Sequence, residues 1–297
     1  MCTQDEGTPF VMVGLERSGN TVTHAALKAH PEVATFDDEV KYSPFYTTGI
    51  SVFSFSNERD TVKQASRPAL LKFLSFLNHG KSGKAYGIYT VPAAKDAAGL
   101  VKAIQTHYPD VKIILVKRLN IVAQYASSLI ANQSNLWIAT KPLITPYPEV
   151  HFNYKNLVTY VILTLHALNE LEKLKSSHTV LEWIYEEHLL SDSPSFNPLF
   201  DFLGVSRLDV APFLPAKLNP PPETYIRNYY FWIQEVCKII ERAAIQTELK
   251  QQLYAYHTSL LTNKSIHESW LFYLSILPSR LLAFLLFKKA LPAVHNP

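Results

Sequence analysis

The segment Gly14-Leu15-Glu16-Arg17-Ser18-Gly19-Asn20-Thr21 spaces two glycines as Gly-x-x-x-x-Gly and follows the apolar run Phe10-Val11-Met12-Val13. That is the interval of a phosphate loop. In the nucleotide-hydrolysing form of such a loop, backbone N–H groups cradle the phosphates, a Lys reaches the outer ones, and a Ser or Thr hydroxyl holds magnesium. Here Asn20 stands where the Lys belongs. Asn20 cannot supply that charge, and the cation sits inside the loop instead, at Arg17. Such a loop suits a phosphate that is gripped rather than a terminal phosphoryl group that is transferred.

A second cationic position closes the run Ile113-Ile114-Leu115-Val116-Lys117-Arg118. Arg offers phosphate a rigid bidentate fork, and a serine hydroxyl adds a neutral donor. Ser127, on the helix expected after Arg118, pairs with it as a candidate grip on a second phosphate; the alternative is a solvated Lys-Arg cap with helix-surface serines. For proton transfer the candidates are the acids Asp37-Asp38-Glu39, with Lys41 close behind. A carboxylate serves as base when burial or neighbouring acids raise its pKa. His24 reads as a residue of the helix packing face, and His30 as a terminal cap.

These residues need a scaffold that brings them to one edge. Strands are expected at Phe10 to Val13, Tyr86 to Val91, Val111 to Val116 and His178 to Ile184. Helical patterns lie between them, at Thr21 to Ala29, Ala93 to His107, Asn120 to Trp137 and Tyr154 to Lys175. In the first of these, Val22, Ala25, Ala26 and Ala29 fall at helical spacing, and His30-Pro31 ends it. Alternation of strand and helix predicts an α/β fold with a central, mostly parallel sheet flanked by helices. Ligands of such sheets bind at the carboxyl ends of the strands, so the backbone N–H groups of Ser18, Gly19, Asn20 and Thr21 are expected to face the site.

Composition narrows the function further. The chain has 297 residues with 28 Lys plus Arg against 25 Asp plus Glu, a net charge of +3. No broad basic face follows from that balance, so nucleic acid is not an expected partner and any anion site must be local. Cys2 and Cys237 form no metal-ligand pair, no metal site is expected, and the acidic start Met1 to Glu6 lacks an apolar signal core; both features favour a cytoplasmic setting. Trp270 to Leu291 is apolar, but Pro278, Arg280, Lys288 and Lys289 interrupt it, so no transmembrane segment is expected there. Core packing, a homodimer face or peripheral membrane attachment are its uses, in that order.

Taken together, the loop Arg17-Ser18-Gly19-Asn20-Thr21 resembles the phosphate loop of the PAPS-dependent sulfotransferases, in which it binds the five-prime end of phosphoadenosine phosphosulfate. Arg118 with Ser127 resembles the family's grip on the three-prime phosphate. Gln124, Ser127, Ala131, Gln133 and Trp137 are similar to a helix motif of a bacterial carbohydrate-sulfating branch. Tyr185-Glu186-Glu187-His188-Leu189, Phe200-Asp201-Phe202-Leu203-Gly204-Val205 and Glu223 to Tyr229 resemble later family elements, so the likeness runs over roughly residues 9 to 230. Leu119 departs from the polar residue that often follows the Arg, and Asn20 from the usual Thr or Ser. The resemblance implies a P-loop-like sulfotransferase core over 1–230 and a helical C-terminal extension over 231–297. It also implies PAPS as co-substrate with PAP as product, held by Arg17, Ser18, Gly19, Asn20, Thr21, Val22, Arg118, Ser127 and Tyr185.

By that likeness Glu39 is the catalytic base, Asp38 the second choice, Arg17 the charge that neutralises the leaving phosphate, and Lys41 an assisting cation. The acceptor is expected to be a small molecule with a hydroxyl or amine: a saccharide, by the motif helix, or a cationic secondary metabolite, by Asp37 to Glu39. Competing readings are a nucleotide kinase or NTPase, opposed by Asn20 and by the absence of an Asp at the Lys117-Arg118 strand end, and a non-catalytic nucleotide-binding scaffold.

Overall fold

The computed structural model describes residues 7–35, 40–44, 51–55, 84–134, 149–190, 194–210 and 221–262. The chain divides into two compact units, Met1–Arg118 with Glu170–Pro215, and Leu119–Asn169 with Ala216–Pro297.

The first unit is built on strands β1 (Thr8–Gly14), β2 (Val33–Thr35), β5 (Ala85–Thr90), β6 (Lys112–Lys117) and β7 (Val180–Ile184), all parallel, in the order β2-β5-β1-β6-β7. A separate antiparallel pair, β3 (Val40–Pro44) and β4 (Ser51–Phe55), lies between β2 and β5 in sequence. The helices of this unit are α1 (Asn20–Ala29), α2 (Ala97–His107), α5 (Tyr185–His188) and α6 (Asn197–Leu203), together with the end of α4 (Tyr154–Glu172).

Every residue of β1 from Phe10 to Gly14 is buried, and so is every residue of β6 from Ile113 to Lys117. Lys117 apart, that is the apolar pattern of a strand covered on both faces, which parallel sheets require. Phe10, Met12, Ile114 and Val116 share one face with Ala26 and Leu27 of α1 and with Leu199, Phe200 and Leu203 of α6. Each such fully buried large side chain contributes roughly 1.5–3 kcal/mol by removal from water. On α1 the buried face is Thr23, His24, Ala26 and Leu27, whereas Val22, Ala25 and Ala29 are half-buried. The helix is therefore rotated from the face expected on alanine spacing, because Leu27 is the side chain with the most apolar surface to hide.

The α6 helix was not expected from periodicity. Its ends are nonetheless written locally: Pro198 lies in the first turn, and Gly204 follows at φ 75. There Gly204 N–H donates to Asp201 O and Val205 N–H to Phe200 O, the closing bonds of a helix stop that needs a left-handed residue.

In the second unit, α3 (Ile121–Ser134) starts at Asn120, whose Oδ1 accepts the Ala123 N–H at 3.0 Å and whose Nδ2 donates to Tyr229 Oη at 2.6 Å. The helices α7 (Tyr229–Arg242) and α8 (Thr247–Thr262) pack on each other. The α7 helix buries Phe231, Trp232, Ile233, Val236 and Ile240. Among the described residues no helix is long and apolar enough to cross a membrane, and Trp270 to Leu291 lies outside them.

Candidate active site at the sheet's switch point

The strand order reverses at β1: the chain goes from β1 to β2 and β5 on one side, then returns to β6 on the other. Crevices at such reversals, outside the carboxyl ends of the strands, are where open α/β sheets bind ligands. Gly14 pairs with Val116, so the loop after β1 and Arg118 after β6 emerge side by side.

The loop is closed by its own side chains. Asn20 is buried and its Nδ2 donates to Leu15 O at 2.8 Å, while Ser18 N–H donates to the same carbonyl at 3.3 Å. A Cβ at position 14 would lie 2.4 Å from Asn20 Oδ1 and 2.7 Å from Val116 O, so only glycine fits there. Asn20, read from sequence as a lost charge, is thus the brace that holds the loop's two ends together. Arg17 adopts φ 61 and Gly19 φ 95. The first is a left-handed conformation that costs a non-glycine residue on the order of 1 kcal/mol.

The donors left for a ligand are shifted towards α1 from the sequence expectation of Ser18, Gly19, Asn20 and Thr21. Ser18 N–H is spent inside the loop, and Thr23 N–H is bonded to Gly19 O at 3.1 Å. Asn20, Thr21 and Val22 supply the first N–H groups of α1, which have no acceptor within the helix. The N-cap position carries no side-chain hydrogen bond and the first turn no acid. Among the described residues, no side chain caps this end of α1, where the helix dipole is positive.

Lys117 and Arg118, adjacent in sequence, part company. Lys117 is 1% exposed and its Nζ lies 2.6 Å from Glu172 Oε1 and 2.9 Å from Glu182 Oε1; Lys175 joins the same two carboxylates. That cation is neutralised within the protein. Arg118 turns to the loop, where its Nη1 donates to Arg17 O at 3.1 Å. Its guanidinium lies over the Tyr185 ring, 4.6 Å from the centroid, with Glu186 Oε1 3.9 Å from Nε. Tyr185 also backs the loop, since a Cβ on Gly19 would come within 2.7 Å of Tyr185 Cδ2 and 2.9 Å of Leu189 Cδ1. Glu186 was not among the residues singled out from sequence. No sequence signal marked it, because the cation it faces, Arg118, is brought beside it only by folding.

Other sequence candidates fall elsewhere. Gln124 and Ser127 are buried on α3, in the second unit. Gln133 is exposed near the end of that helix, and Trp137 is outside the described residues. Asp37, Asp38 and Glu39 also lie outside the described residues, and Lys41 is placed by its backbone in β3. His24 packs its ring on Tyr89, centroids 4.5 Å apart. His30 accepts the Glu32 N–H at Nδ1, 3.1 Å, so its proton is on Nε2, which donates to Ser206 O at 2.6 Å. Both histidines hold the structural places expected of them. His188 stacks on Trp183 with centroids 4.0 Å apart, and desolvation there holds its pKa below the ordinary histidine value.

No protein-family model matches the chain, and no curated protein matches it in sequence. Solved structures do match. The crystal structure of a sulfotransferase from Alicyclobacillus acidocaldarius superposes with a TM-score of 0.50 at 15% identity, covering 84% of this chain and 96% of that one. The sulfotransferase domain of the Synechococcus PCC 7002 olefin synthase matches with a TM-score of 0.45 at 12% identity, over 84% of this chain and 94% of the other. A mouse sulfotransferase complexed with PAP matches with a TM-score of 0.44 at 14% identity, over 84% and 89%. With its parallel sheet, its loop after β1 and its extent along the chain, this protein has the sulfotransferase fold.

Proposed function

We propose that this chain is a sulfotransferase that moves a sulfuryl group from PAPS to a hydroxyl or amine of a small molecule. The observation that carries the reading is the loop between β1 and α1. Its cradle is intact and its Lys position is filled by an inward-facing, buried Asn20, while Arg118 braces it from the neighbouring strand end. The sulfotransferase fold is consistent with it.

In this reading the N–H groups of Asn20, Thr21 and Val22, with the Thr21 hydroxyl, hold the five-prime phosphate, and Arg17 faces the charge that develops on the leaving oxygen. Glu39 takes the acceptor proton as the new bond forms from sulfur to the acceptor's oxygen or nitrogen, the bond from sulfur to the bridging phosphate oxygen breaks, and PAP leaves with that electron pair. Catalysis is then positioning plus electrostatic stabilisation. The donor carries no outer phosphates that a metal ion must bridge, in contrast to phosphoryl transfer from ATP. Ser127 is assigned to the three-prime phosphate on the sequence likeness, as is Tyr185 to the adenine.

The test is thermal stability with adenosine three-prime,five-prime-bisphosphate in the absence of magnesium, against ATP with magnesium. Ligand at ~100 times its dissociation constant stabilises by about 2.7 kcal/mol. Stabilisation by the bisphosphate supports the reading, and stabilisation by ATP-magnesium alone replaces it with a kinase or NTPase.

A further inference from the structure

The guanidinium of Arg118 is held by three partners of different kinds. It donates to a loop carbonyl, Arg17 O, at 3.1 Å; it covers an aromatic ring, Tyr185, at 4.6 Å; and it faces a carboxylate, Glu186, whose nearest oxygen is 3.9 Å from Nε. The first two contacts fix where the guanidinium lies. The third is too long for a hydrogen bond, and among the described residues Nε has no hydrogen-bond partner. Glu186 therefore acts on Arg118 by charge rather than by direction. Both side chains are more than nine-tenths buried, at 9% and 7% exposure, where solvent screens the interaction least.

We propose that Glu186 is a resident counter-charge of the anion site: it neutralises Arg118 while the site is empty and opposes the incoming phosphate, so that the donor's product is bound less tightly than the loop alone would bind it. The inference rests on the sulfotransferase reading. A buried cation without a counter-ion is costly, so the empty site needs Glu186. When a phosphate arrives, the same carboxylate is a like charge beside it, and part of the attraction to Arg118 is cancelled. For an enzyme that must release a bisphosphate after each turnover, a built-in opponent of tight product binding limits the residence time of PAP.

The substitution that separates charge from shape is Glu186→Gln. The inference expects two opposite changes. The ligand-free variant melts below wild type, because Arg118 has lost its counter-ion, and yet it binds adenosine three-prime,five-prime-bisphosphate more tightly. The gain in affinity by titration calorimetry is about threefold to tenfold, the size of one partly screened charge. Glu187→Gln, on the same turn but exposed, changes neither quantity. A merely structural glutamate would lower both stability and affinity. Wild type that binds the bisphosphate, with Glu186→Gln binding it equally or more weakly, overturns the inference and leaves the function standing; wild type that does not bind the bisphosphate overturns both.

Discussion

Arg118 Nη1 bonds the carbonyl of Arg17 at 3.1 Å, joining residues 101 positions apart in the chain. One arginine thereby holds the backbone of another in a left-handed turn, at φ 61. Conformation and charge at position 17 are separable for that reason. Arg17→Gly removes the charge and suits the turn, so the variant is expected to be as stable as wild type or more stable by up to about 1 kcal/mol. Its turnover should fall roughly 10²- to 10³-fold, the scale for losing one preorganised stabilising group. Urea denaturation and a sulfuryl-transfer assay check the two halves, and a variant that is both unstable and inactive would mean that the side chain, not its charge, builds the loop.

Gly19 has the opposite constraint. Its φ of 95 disfavours any side chain, and a methyl group would meet Tyr185 at 2.7 Å and Leu189 at 2.9 Å. Gly19→Ala is expected to cost ~1–3 kcal/mol and to displace Tyr185 from under Arg118. The thermal shift produced by the bisphosphate should disappear in this variant, while the far-ultraviolet circular dichroism of the folded chain is kept.

Glu39→Gln separates chemistry from binding. The loop that holds the nucleotide does not include residue 39, so the bisphosphate should bind with unchanged affinity while the rate falls by about 10²- to 10⁴-fold, the range for one general base. Asp38→Asn is the control. Should the two variants exchange these phenotypes, the base is Asp38.

His257 predicts a pH dependence of stability. Its ring is fully buried in α8, Nδ1 donates to Leu253 O at 2.8 Å, and desolvation brings its pKa down to about 4 from the ordinary value of 6.5. The unfolded chain therefore binds a proton at His257 between those values and the folded chain does not. By linkage, this histidine's contribution is complete above pH 6.5 and is lost as pH falls towards 4, a change of about 3 kcal/mol. His188, also held below the ordinary value, acts in the same direction. Glu32, held at about 2 chiefly by the Ser206 N–H and then by Lys84, contributes stability that is lost only below pH 4.5. His257→Leu should flatten the stability curve between pH 6.5 and 4 relative to wild type; parallel curves for the two proteins would refute the assignment.

Legibility in the sequence followed the physics of each element. The four expected strands are present; β1 and β6 were the most legible, because a strand buried on both faces is apolar without interruption, as Ile113 to Val116 are. The short edge strand Val33–Thr35 and the pair Val40–Pro44 and Ser51–Phe55 were not foreseen, since three to five residues carry too little periodicity to separate from loop. At the site, the glycine spacing and the strand-end position were enough to mark the loop and Arg118 as candidates. The roles of Asn20 and Glu186 could not. Each depends on a partner brought close by folding, Leu15 O for one and the Arg118 guanidinium for the other. The same holds for Lys117, whose partners Glu172 and Glu182 are brought to it only by folding.

The insertion between β6 and β7 also has a consequence during synthesis. The strands β2, β5, β1 and β6 have all been made once residue 117 leaves the ribosome, but β7 pairs with β6 only after residues up to 184 have followed. Through that interval the nascent chain carries Ile113 to Val116 as an open, uncharged edge, and Lys117 as a cation without either glutamate. An unpaired apolar edge is a template for pairing between chains. The segment made meanwhile, 119–169, belongs to the second unit. Chaperone capture of stalled nascent chains should therefore peak for lengths that expose β6 and end once β7 has emerged.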